Sequence, residues 1–125
     1  MHITISFAVL LIGFMCNAIS FAASFDCDKT TTPTEKAICA DSQLSALDDQ
    51  LLQSYKNALA HTSDPNALTA AQRSWLSQKR NTCRGDITCL QQAYTARLTV
   101  LDALAASSSA KQTSATQVKT GVTGA

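Results

Sequence analysis

The sequence predicts an all-α fold: a small disulfide-stapled helical bundle of three long helices plus a short N-terminal helix. Three observations carry this. Apolar residues recur at spacings of three and four, and no segment alternates apolar with polar over four or more residues. Thr or Asp stands where each periodic run begins, twice followed directly by proline, in Thr32-Pro33 and Asp64-Pro65. Four cysteines, Cys27, Cys39, Cys83 and Cys89, fall at or beside the predicted helix ends, behind an apolar leader. Exported chains keep disulfides and cytosolic ones mostly do not, so this even set reads as two bridges formed in an oxidising compartment.

The leader comes first. Its unbroken apolar run, Phe7 to Cys16, is far shorter than the roughly 20 residues that span a bilayer. It matches the core of a signal peptide instead. Ser20-Phe21-Ala22 puts small residues where signal peptidase needs them, so residues 1–22 are expected to leave, with a cut after Ser24 as the alternative. Cys16 would leave with them. Lipidation at Cys16 is disfavoured, because Met15 stands where a small residue is needed. The expected location is periplasmic or secreted, with no stable membrane insertion after signal cleavage.

The domain proper is expected over residues 23–106. Thr32-Pro33-Thr34-Glu35 has the pattern of a capping box and opens a short helix that ends near Ala40 and carries Cys39. Asp41 can cap a second helix, whose stripe is Leu44, Leu47, Leu51, Tyr55 and Ala58. Asp64-Pro65 opens a third, with Leu68, Ala71 and Trp75 on one face, and Gly85 just after Cys83 suits its stop. Asp86 can cap a fourth, striped by Ile87, Leu90, Tyr94, Leu98 and Leu101. Short connections make successive helices antiparallel. From Ser107 to Ala125 the chain is Ser, Thr, Ala, Gly, Gln and two lysines with little else, which predicts a flexible tail over 107–125.

Four cysteines allow three pairings. Cys27 with Cys39 and Cys83 with Cys89 is favoured, because each then closes a local loop and pins a corner. A core this small is marginal, and such staples are the expected remedy.

The composition excludes more than it supplies. Ten Lys/Arg against nine Asp/Glu give a net charge of +1, no footprint for nucleic acid. His61 is the only histidine after the leader and Glu35, a capping residue, the only glutamate, so the carboxylate pair of a glycosidase is not evident. No Gly-rich phosphate loop occurs. The cysteine spacings fit neither the close ligand pairs of structural zinc sites nor the C-x-x-C of thiol oxidoreductases. No catalytic residue, metal or cofactor is expected.

Two constellations remain. Asp48 lies at the edge of the second helix's stripe, where an unpaired carboxylate would be costly. The expected partner is Lys79 or Arg97, as a structural tie between helices. On the third helix Arg73 and Arg80 fall opposite the apolar face and Arg84 continues the line, a basic stripe that could meet an acidic partner. Trp75 is read as core, its N–H needing an acceptor.

Phe25-Asp26-Cys27, Thr34-Glu35-Lys36-Ala37-Ile38-Cys39, Leu44-x-x-Leu47-Asp48-x-x-Leu51 and Tyr55, followed by Gln72-x-x-Trp75, Cys83, Cys89-Leu90, Tyr94 and Arg97, resemble the lysozyme-inhibitor LprI-like N-terminal domain family. The resemblance covers roughly Phe25 to Leu104. It departs where the family often has Arg four residues after the Trp; here that residue is Lys79. It implies an exported, cysteine-stapled helical domain without catalysis, whose partner would be lysozyme or another cell-wall hydrolase. The alternatives are an envelope binding or assembly module, or an immunity protein against a secreted toxin.

Overall fold

The computed structural model describes residues 23–120, with side chains described through residue 115. The expected leader and its cut after Ala22 lie outside the described residues. Within them there is no strand. A 3-10 turn at Cys27–Lys29 precedes α1 (Pro33–Ala40), α2 (Ser42–His61), α3 (Pro65–Trp75) and α4 (Ile87–Thr120).

The helix starts follow from local chemistry. Thr32 Oγ1 accepts the Glu35 backbone N–H at 3.2 Å, and the Glu35 carboxylate accepts the Thr32 hydroxyl at 3.0 Å. Asp41 serves two helices. Its N–H donates to Ala37 O at 3.1 Å to finish α1, and its carboxylate accepts Leu44 N–H at 2.8 Å to start α2. Ser45 locks this elbow by donating its buried hydroxyl to Ile38 O at 2.6 Å. Asp64 caps α3 and Asp86 caps α4 in the same manner, at 2.9 and 2.7 Å.

α3 does not continue as a plain helix to Cys83. A π-turn at Leu76–Arg80 and a 3-10 turn at Asn81–Cys83 follow it. A π-turn inserts one residue into the helical count, so side chains beyond it lose phase with those before it. After Cys83, Arg84 and Gly85 both take positive φ, at 50° and 89°, and turn the chain into α4. Gly85 is required here: a Cβ would stand 3.1 Å from Pro33 O, at a φ that side chains rarely adopt. Gly85→Ala is expected to lower stability by about 1–3 kcal/mol, read as a reduced urea midpoint; an unchanged midpoint would show that the turn can re-form.

Successive helices fold back on one another, so α2 and α4 run parallel, and this pair forms the largest interface. Gln91 donates to Gln43 at 3.0 Å near the start of both helices, while Ser107 and Lys111 lie beside His61 at the other end. The core is Ile38, Leu44, Leu51, Ala58, Leu68, Trp75, Leu90, Tyr94, Leu98 and Leu101. Each large apolar side chain fully withdrawn from water contributes about 1.5–3 kcal/mol. Trp75 meets Tyr94 edge to face, centroids 5.3 Å apart. Two stripe assignments change. Ala71 is exposed and Gln72 is buried in its place, and Ile87 stays 45% exposed because it begins α4 at the corner.

The tail expected from Ser107 is, as far as Thr120, a continuation of α4. Propagating a formed helix costs far less than nucleating one, and no Gly or Pro interrupts the chain before Gly121.

Candidate functional site

The interior of the bundle holds one concentrated polar site, built around Asp48. This residue is 3% exposed. Its Oδ1 accepts the Tyr94 hydroxyl at 2.6 Å across the α2–α4 interface. Its Oδ2 accepts the Ser24 backbone N–H at 2.7 Å and the Ser24 hydroxyl at 2.5 Å. The N-terminal segment is thereby strapped over α2. Neither Lys79 nor Arg97 pairs with Asp48. Lys79 is exposed within the π-turn and lines a groove on the other side of α3, whereas Arg97 donates its Nε to Gln72 Oε1 at 2.9 Å. The expected ion pair is thus replaced by three hydrogen bonds from neutral donors.

The same geometry explains the proton affinities. Burial, then the Asp48 charge and its hydrogen bond, hold the Tyr94 phenol well above its ordinary range; the Arg80 guanidinium opposes them. Arg80 therefore faces this site. It lines a cavity of about 210 Å³ with Ser24, Asp48, Tyr55 and Gln72. Burial also lowers the Arg97 pKa, and its Nη2 is buried without a partner among the described residues.

The basic stripe is dispersed. Arg73 is exposed on α3, Arg80 is turned partly inward, and Arg84 stands exposed on the corner. The π-turn is the cause, since the stripe presumed an unbroken 3.6-residue period. The larger groove, about 540 Å³, runs between the end of α3 and α4 over Trp75, Ala93 and Val100, with Lys79 and Arg97 beside them. The Trp75 N–H has no acceptor among the described residues.

The cysteines form two bridges, Cys27–Cys39 and Cys83–Cys89, with Cα separations of 5.8 and 5.6 Å. The first clamps the N-terminal turn to α1. The second closes the corner that leads into α4. Among the described residues no cluster of His, Cys, Asp or Glu could hold a metal ion. Asp48 is occupied by donors, and His61 Nδ1 lies 2.8 Å from Asn57 O at the end of α2.

The family model described as "Lysozyme inhibitor LprI" matches residues 27–119. This chain belongs to the LprI family. The match begins at Cys27, takes in both disulfides, Asp48 and Tyr94, and ends within the long α4. The chain is 43% identical over 81 residues to the protein named "Lipoprotein LprI" from Mycobacterium bovis, covering 62% of this chain. It matches the protein of that name from Mycobacterium tuberculosis strain H37Rv equally well. It spans about two fifths of the length of these curated LprI relatives, 40%. No solved structure matches significantly. No helix among the described residues is long and apolar enough to cross a membrane.

Sequence reasoning missed Ser24, Tyr94 and Gln72 as members of the polar site. For Tyr94 there was a signal: a tyrosine centred on an apolar stripe must find a partner for its hydroxyl. Ser24 carried none, lying next to the expected cleavage point.

Proposed function

We propose that this LprI-family chain is an exported, non-catalytic protein that binds lysozyme or a related cell-wall hydrolase and inhibits it by occlusion. The observation that carries this reading is the family match across nearly the whole described fold. The structure supports it in kind. Two disulfides suit an oxidising envelope compartment, and the buried polar residues around Asp48 hydrogen-bond one another across the helices. A periplasmic or secreted location is part of the same proposal, supported by the disulfides and by the leader expected from the sequence.

A second reading is favoured by the limited span of the match to the LprI relatives, 40% of their length. The helical domain would then be an envelope binding or assembly module with a different partner. A turbidity assay decides. Purified, oxidised protein at micromolar concentration is expected to slow lysis of bacterial cells by at least one class of lysozyme. Full lytic rates with every class would move the assignment to the second reading.

A further inference from the structure

The feature that the fold isolates for contact is the corner between α3 and α4. Both disulfides lie at this end of the bundle. Cys83–Cys89 closes the corner itself, and Cys27–Cys39 holds α1, against which the corner packs. The Gly85 backbone abuts Pro33 so closely that a Cβ would stand 3.1 Å from Pro33 O. Corner and α1 therefore form one rigid platform. On it stands Arg84, exposed, with φ 50° and ψ 34° in the left-handed region. Glycine or asparagine would occupy that conformation at lower cost, yet the chain carries a long cation there. Its backbone is held by the bond from Arg84 N–H to Asn81 O at 3.3 Å, and the next turn by Asp86 N–H to Cys83 O at 3.0 Å. No carboxylate pairs with Arg84 among the described residues. The nearby Asp86 is committed to the Cys89 N–H. Ile87, three residues on at the start of α4, is 45% exposed and adds apolar surface to the corner.

We infer that Arg84 is the anchor of this corner in the cleft of the target hydrolase, its guanidinium meeting the cleft's carboxylates. The inference rests on the inhibitor reading above. Enzymes that cleave glycosidic bonds hold two carboxylates around the scissile bond. A guanidinium fits a carboxylate with two parallel hydrogen bonds, and a rigid support reduces the ordering cost of binding.

The test uses the oxidised protein in the lysozyme turbidity assay with three variants. Arg84→Glu is expected to raise the concentration for half-inhibition at least about tenfold, as expected for an anchoring residue. Arg84→Gly suits the backbone, so it should show the same loss with an unchanged or higher Tm, which separates recognition from folding. Arg73→Glu, on the outer face of α3, should inhibit as the unaltered protein does. Inhibition by the unaltered protein that Arg84→Gly retains in full would overturn the Arg84 anchor and leave the inhibitor reading standing. If the unaltered protein inhibits no lysozyme, both fall together.

Discussion

Tyr94→Phe is expected to destabilise the domain by about 1.5–3 kcal/mol, the worth of a buried hydrogen bond to a carboxylate. The ring and its edge-to-face contact with Trp75 would remain. The loss would be the hydroxyl that serves Asp48 Oδ1, at a position almost closed to water. For a domain of this size that corresponds to a drop in Tm of roughly 10–20 °C. Tyr94→Ala should cost about 3–5 kcal/mol for the cavity alone, and more with the lost bond. Urea denaturation at neutral pH measures both, and a Tyr94→Phe midpoint equal to the unaltered protein's would remove Asp48 and Tyr94 from the stabilising core.

The same residue sets an alkaline limit. The Tyr94 pKa is raised in the folded state, mainly by burial and then by Asp48. An unfolded tyrosine loses its proton near pH 10, while the folded one retains it. The unfolded chain then binds fewer protons, so stability is fully present below about pH 10 and falls as pH rises beyond it. The slope reaches at most about 1.4 kcal/mol per pH unit for this one group. Tyr94→Phe should lose that component, so the gap between the two proteins should narrow between about pH 10 and 11.5.

Reduction of the disulfides is the second large effect. The bridges span sequence separations of 12 and 6. In the chain-entropy model they contribute about 3 and 2 kcal/mol. Their sum is close to the lower end of total domain stability, about 5–15 kcal/mol. Reduced protein should therefore lose most of its far-UV helical signal at 37 °C, while oxidised protein keeps it. Removing Cys27 and Cys39 together should cost more than removing Cys83 and Cys89 together, because the longer loop frees more of the unfolded chain. If reduced protein melts as the oxidised form does, the hydrophobic core alone is sufficient.

Much of the fold was legible because it is decided locally. Thr32, Asp41, Asp64 and Asp86 start helices through their own side chains, and the apolar period of each run marks the face to be buried. The third helix shows where that logic stops. Ala71 and Gln72 exchanged roles within α3, because the i, i+4, i+7 row Leu68, Gln72 and Trp75 faces the core, and Arg80 turned toward Asp48 where the π-turn changed the helical phase. Nothing in Leu76-Ser77-Gln78-Lys79-Arg80 announces that turn. The segment after Ser107 shows a related limit. Ser107 to Thr120 is a poor core former, but it continues a helix already nucleated elsewhere, so composition alone did not set its conformation.

What the sequence by itself determined is the all-α class, the helix starts, the cysteines at helix ends and the likeness to the LprI family. Each rests on a pattern within a few turns of chain, or on matched motifs in order. Only the tertiary structure decided the polar site. Asp48 and Tyr94 are 46 residues apart and meet because α2 and α4 lie parallel, with α3 returning between their ends. Ser24 reaches Asp48 from 24 residues away only once the N-terminal segment is strapped down. A buried carboxylate takes whichever donors the packing brings within hydrogen-bond distance. Charge suggested a lysine or arginine; packing supplied a tyrosine and a serine, and left Arg84 outward on a stapled corner.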